Sequence, residues 1–222
     1  MLKIYMKYQK ALIATSIIII IIVAWNYIKK PSSQASVILQ VPFTSQAPNG
    51  NWDRNEDCEE TSIAMAAAFI NGQSEDRMPA VDAQNAINQL KNWENINTGY
   101  NANTGAEATT KLAQGAFKIK VKQISDFTEQ DLKNALSTHD VILLPLNAKM
   151  LSPGKYGDVG PLYHMIVLRG YKGDTFIVND PGTDSGDGNV YTFETLKKAA
   201  ADWNQNTKSI DPNRKIALVL SK

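Results

Sequence analysis

The chain has 222 residues, with 23 Lys+Arg against 22 Asp+Glu for a net charge of +1, a single cysteine and two histidines. That length fits one domain plus an accessory segment, and the near-neutral balance gives no electrostatic footprint for nucleic acid. One cysteine excludes an internal disulfide framework, so the fold must rest on its apolar core.

The first element is an apolar run of 18 residues, Ala11 to Ile28, with unbroken isoleucine from Ile17 to Ile22. As a helix it would span roughly 27 Å, about the thickness of the bilayer hydrocarbon. Lys3, Lys7 and Lys10 precede it, and Trp25, Tyr27, Lys29 and Lys30 close it like an interfacial belt. A cleaved secretory signal and a retained anchor both fit. No small-x-small site follows the run directly, which favours an uncleaved signal-anchor over residues 1–30 with one transmembrane helix at about 11–28. The lysine balance gives a slight bias toward an N-in orientation, with the remainder outside the cytoplasm. Five of the 23 basic residues and none of the 22 acidic ones lie in the first 36, so the rest of the chain carries 18 against 22, a net −4.

Residues 31–36 read as a tether and 37–222 as the folded domain. SVILQVP is a strand closed by Pro42, followed by the irregular FTSQAPNGNWDRNED, which contains Gln46. At Cys58 a helix of about 13 residues begins, rich in alanine and stopped at Asn71-Gly72. Pro79 opens a second helix running to about Trp93. Thr104 with Glu107 predicts a capping box on a third that ends near Gly115, and Thr128 with Asp131 predicts one on a fourth. Strands follow at FKIKVKQI, DVILLPLN, YHMIVLRG, DTFIVND and KIALVL, with a late helix from Phe193 to Trp203. Helices mainly first and strands mainly last predict an α+β fold, its N-terminal helices packed on a mainly antiparallel sheet.

The candidate chemistry centres on Cys58. A thiol in the first turn of a helix feels unpaired N–H groups and the positive end of the dipole, which favour thiolate. Asp57, Glu59 and Glu60 oppose this wherever they point inward. A histidine partner is therefore needed, and His164 heads a strand that leads by a short hairpin to the strand ending in Asp180. Taken singly, Cys58 is an ordinary small buried residue, His164 a strand-end histidine and Asp180-Pro181-Gly182 a turn. Jointly they have the order of a thiol protease.

Two hairpin registers are open. A three-residue loop, Tyr171-Lys172-Gly173, sets His164 directly opposite Asp180, close enough for the carboxylate to hold the imidazole. A two-residue Lys-Gly turn instead brings Asn179 and Pro181 to the face of His164, where Asn179 would orient the ring. His139 lies in a solvated loop. The acidic stretch DPGTDSGDGN does not fit an EF-hand, and no spacing supplies zinc ligands. No metal or organic cofactor is implied.

The segments VPFTSQ, DCEETSIAMA, HMIVLRGY and VNDPG together resemble the papain-like cysteine peptidases related to bacteriocin-processing, double-glycine leader peptidases, cysteine peptidase family thirty-nine. The resemblance covers most of residues 41–205 and implies a papain-like fold. It gives Gln46 as oxyanion-hole donor, Cys58 as nucleophile, His164 as general base and acid, and Asp180 as the group orienting the imidazole. Many members have glycine-proline after the cysteine, where this chain has Glu59-Glu60. The expectation is a membrane-anchored thiol peptidase acting on a peptide or protein through a thioester. A peptidoglycan peptide hydrolase with the same triad and a catalytically silent extracytoplasmic binding domain are the alternatives.

Overall fold

A seven-stranded antiparallel sheet carries the fold. In this computed structural model, which describes residues 36–52, 56–99, 103–151 and 162–222, it comprises β1 (Ser36–Ile38), β2 (Lys120–Ser125), β3 (Val141–Asn147), β4 (Tyr163–Lys172), β5 (Thr175–Asn179), β6 (Asn189–Thr192) and β9 (Ile216–Ser221). The order is β2-β9-β3-β4-β5-β6, with β1 continuing the β3 edge of β4. β7 (Asp202–Asn204) and β8 (Ser209–Asp211) form a separate hairpin. The predicted span at 11–28 lies outside the described residues; among those described, no helix is long and apolar enough to cross a membrane.

The expected α+β arrangement with an antiparallel sheet is present. β3 and β9 are buried from Val141 to Leu146 and from Ile216 to Leu220. Their unbroken apolar sequence, without alternation, is what a strand covered on both faces requires. β1 is shorter than the predicted SVILQVP strand. It ends at Ile38 opposite Gly170, whose hydrogen side chain is required because a Cβ there would meet the Val37 carbonyl oxygen at 2.5 Å.

Helix α1 (Cys58–Ile70) has the predicted start and length, and every residue from Cys58 to Ala68 is buried. Its small side chains let it lie against β4, β3 and helix α2 (Ala80–Asn97) at once. α2 extends past Trp93, and its buried positions Ala83, Ile87, Leu90 and Glu94 form a single helical stripe. Helix α3 (Ala106–Phe117) does not use the predicted Thr104–Glu107 capping box. Asp202 Oδ1 accepts the Ala106 N–H at 2.8 Å, the Thr104 N–H goes to Glu59 Oε1 at 2.8 Å, and Glu107 pairs with Lys111. Two buried carboxylates from distant segments thus replace the local cap. The helix also runs past Gly115, where the absence of a Cβ admits the Trp93 indole.

Helix α4 (Glu129–Ser137) has the predicted capping box, with Asp131 N–H on Thr128 Oγ1 at 3.2 Å and Thr128 N–H on Asp131 Oδ2 at 2.8 Å. A short α5 (Ala148–Leu151) follows β3. The late helix, α6 (Phe193–Ala199), stops short of Trp203 because Ala200 turns extended and bridges Leu146, feeding β7. That turn delivers Asp202 to the start of α3.

Candidate active site

The β4–β5 hairpin decides what faces His164, and it adopts neither expected register. Lys172 pairs with Thr175, so the loop is the two residues Gly173-Asp174, with glycine at positive φ in the first position. Continued without interruption, this register would set Asp180 opposite Val167 and turn it away from His164. A β-bulge between Leu168 and Gly170 accommodates Arg169 as an extra residue, after which Leu168 pairs with Val178 and Val167 with Asn179. The bulge moves the pairing by one and returns Asp180 to the His164 face.

His164 and Asp180 are therefore diagonal neighbours rather than directly opposed. Diagonal positions remain within reach of long side chains. His164 Nε2 lies 2.8 Å from Asp180 Oδ1, with both side chains fully buried. A carboxylate can only accept, so Nε2 carries the proton of that bond.

Asp180 is itself fixed on three sides. Its Oδ1 also accepts the Gly182 N–H at 3.0 Å, its N–H goes to the Gly186 carbonyl at 2.9 Å, and the Gln46 N–H binds the Pro181 carbonyl at 2.9 Å. Gly186 packs so closely that a Cβ would enter the Asp180 carbonyl. Gly186→Ala is accordingly expected to displace Asp180 and slow alkylation of Cys58 by about 10²-fold, with far-UV circular dichroism unchanged. Wild-type alkylation rates in this variant would refute the dependence.

Asn179, the other candidate for orienting the ring, is used elsewhere. Its Oδ1 accepts Arg169 Nε at 2.8 Å and its Nδ2 donates to the Val41 carbonyl at 3.0 Å. Arg169 also reaches Asp187 at 3.2 Å. The bulge residue thus ties together the strand that presents Asp180 and the loop that follows it.

Cys58 sits at the N-terminus of α1, where the Met165 backbone hydrogen-bonds its sulfur and Ser62 Oγ donates to the Met165 carbonyl at 3.3 Å. This brings the thiol beside the residue that follows His164. Gln46 is buried beside Pro181. Cysteine, histidine, aspartate and glutamine converge on one region from α1, β4, the end of β5 and the loop after β1.

The thiol itself donates to Glu59 Oε2 at 2.9 Å. Glu59 and Glu60 point inward, and the balance feared from the sequence goes against the thiolate. Burial pushes the Cys58 pKa well above the usual thiol range, Glu59 adds to the rise by charge and hydrogen bond, and Glu60 adds further charge. Burial also raises Glu59 to about 7 against the lowering pull of the Cys58 and Thr104 hydrogen bonds. Glu60 and Glu94 are raised chiefly by burial, and their side chains hydrogen-bond to one another. Behind them, Tyr163 donates to the Thr104 carbonyl at 3.0 Å and packs on Trp203.

Sequence reasoning missed this carboxyl layer and the role of Arg169. Glu94 falls on the buried stripe of α2, a signal that periodicity alone could have given. Among the described residues, no group of three or more His, Cys, Asp or Glu has the arrangement of a metal site.

A family model described as Peptidase_C39 like family matches residues 38–210. Among solved structures, the chain is similar to a Bacillus anthracis protein named a C39-like peptidase, at 21% identity over 85% of this chain and 98% of that one, with a TM-score of 0.54. It is also similar to a Carica candamarcensis cysteine protease, at 14% identity over 84% of this chain and 98% of that one, with a TM-score of 0.41. No curated protein matches the chain.

Proposed function

Because the chain belongs to the Peptidase_C39 like family, we propose that it is a membrane-anchored thiol peptidase, with its domain outside the cytoplasm, that cleaves peptide bonds through Cys58, His164 and Asp180. The reading rests on the buried His164 Nε2–Asp180 Oδ1 bond of 2.8 Å, on the strand against which the Cys58 helix packs. The anchoring rests on the apolar run from Ala11 to Ile28 with its flanking lysines.

Asp180 holds the Nε2–H tautomer, which assigns proton transfer to Nδ1. That nitrogen takes the Cys58 thiol proton as the sulfur attacks the substrate carbonyl carbon, and returns it to the amine as the C–N bond breaks. Water then hydrolyses the thioester by the reverse proton route. The Gln46 side chain and the Cys58 backbone N–H are the donors assigned to the oxyanion, a role worth about 2.7–4 kcal/mol for one such donor. A peptide or protein is the substrate, and the chemistry requires no metal or organic cofactor.

The thiol's bond to a buried carboxyl favours one rival, a silent binding domain. Labelling the full chain in detergent with an epoxysuccinyl electrophile separates the two. Native wild type is expected to label at Cys58 faster than the denatured chain, with no labelling in Cys58→Ala and slow labelling in His164→Ala. Equal labelling of wild type and His164→Ala would exclude the catalytic pair.

A further inference from the structure

Of the buried carboxyls to which the thiol peptidase reading gives no task, Glu59 touches the reacting sulfur. Glu59 is 1% exposed, and its carboxyl meets neutral partners, the Thr104 N–H at 2.8 Å, the Cys58 thiol at 2.9 Å and its own backbone N–H. Among the described residues no cation bonds this carboxyl, whereas a buried ionised carboxylate ordinarily demands one. The neighbouring Lys91 bonds both oxygens of Asp57, at 2.7 and 2.9 Å.

On the strength of this geometry, and resting on the peptidase reading, we propose that Glu59 is a second proton partner of the Cys58 sulfur. Protonated, it donates its carboxyl hydrogen to the thiolate; ionised, it accepts the thiol hydrogen and holds the nucleophile silent. The same short S···O contact serves both states, with the hydrogen on oxygen in one and on sulfur in the other. In the armed state the thiol proton resides on His164 Nδ1, Glu59 keeps its own, and the sulfur is stabilised from two sides. Attack then forms the S–C bond, breaks the C–N bond and passes the imidazolium proton to the leaving amine. Glu59 ends the cycle with the hydrogen it began with.

Burial and, to a smaller extent, the Glu94 charge bias Glu59 toward the neutral form, against the pull of the Cys58, Thr104 and own-backbone hydrogen bonds. On its own helix stand Asp57, Cys58 and Glu60; α2 contributes Glu94 and Lys91, the latter bound to Asp57. β4 contributes Tyr163, and beyond it lie Asp202 and Arg214, paired at 3.3 Å. The rise of Glu59 to about 7 places the change of state in the neutral range. Loss of its proton sets a negative charge against the sulfur, so arming is favoured on the acid side and fades as pH rises.

The test is the rate of Cys58 alkylation by iodoacetamide, an uncharged probe, on the full chain in detergent between pH 5 and 8.5. An ordinary thiol reacts faster as pH rises. Wild type is expected to do the opposite between pH 6 and 8, slowing by about threefold or more, while Glu59→Gln is flat or rises. Glutamine keeps an acceptor for the Thr104 N–H and a donor for the sulfur, so it mimics the protonated state. Glu94→Gln removes a negative neighbour without touching the Cys58–Glu59 contact and is expected to move the wild-type fall to lower pH.

Superimposable wild-type and Glu59→Gln profiles, alongside slow labelling of His164→Ala, would overturn the role of Glu59 while leaving the peptidase reading intact. A fall that stays in place in Glu94→Gln would also overturn it. Wild-type labelling in His164→Ala would remove the peptidase reading, and this proposal with it.

Discussion

Asp180→Ala is expected to lower kcat/KM on a fluorogenic peptide by about 10³- to 10⁴-fold, and Asp180→Asn to stay within about tenfold of wild type. Removing the carboxyl takes away the acceptor 2.8 Å from His164 Nε2 and with it the bond that fixes the ring's tautomer. Where an amide replaces a triad carboxylate without restraint, its NH₂ can face the imidazole and impose the wrong tautomer, at a cost of about 10⁴. Here the Gly182 N–H donates to the same Oδ1 that holds His164, at 3.0 Å. In the asparagine variant that N–H selects the amide oxygen, so the oxygen again meets Nε2–H. A loss in Asp180→Asn as large as in Asp180→Ala would show that the negative charge, rather than the acceptor geometry, is what His164 requires.

The carboxyl layer under α1 predicts a second large effect, on stability. Glu59, Glu60 and Glu94 are all raised above the usual carboxyl value of 4.5, chiefly by burial, and Glu59 reaches about 7. Below about pH 4.5 the folded and unfolded chains both hold these protons. As pH rises, the unfolded chain releases them first, so the folded state binds more protons and loses stability until its own carboxyls ionise. For Glu59 that window runs from about 4.5 to about 7 and is worth about 3 kcal/mol. The melting temperature should therefore fall by about 6–12 °C across it for a domain of this size. Glu60→Gln, which removes one titrating carboxyl from the layer, should flatten the fall. A melting temperature that climbs from pH 5 to 7.5 in wild type would contradict the inward placement of these carboxyls.

How much of this was legible in the sequence differs from element to element. The helix starting at Cys58, the Thr128–Asp131 box and the strands around His164 and Asp180 follow from local patterns that nothing distant contradicts. The Thr104–Glu107 box failed because Asp202 and Glu59, remote in sequence, reach the same N–H groups. The hairpin is more instructive. Its loop is Gly173-Asp174 rather than Tyr171-Lys172-Gly173, and its ladder is broken at Arg169. The observed pairing upstream of the bulge differs from the expected one by two positions, an even number, so the same side chains share a face. The histidine–aspartate contact was anticipated for a register that does not occur. A bulge leaves no mark in a single sequence beyond a polar residue that interrupts an apolar run, and Arg169 in HMIVLRG is that residue. Glu59 and Glu60 stayed opaque for another reason: acidic residues in a first turn fit a solvated helix end, and their burial depends on what α2 and the loop before α3 supply.

β9 is the last strand of the sheet in sequence, yet it lies in the sheet interior between β2 and β3. Until it inserts, β3 lacks the neighbour on its outer edge and β2 has no strand to join. The Cys58 helix rests on β3 and β4, so its support depends on a pairing between segments almost a hundred residues apart in the case of β2 and β9. Contacts that distant form late and slowly. Cys58, His164 and Asp180 are therefore held in their mutual arrangement only once the chain through Ser221 has been made and β9 has docked between β2 and β3.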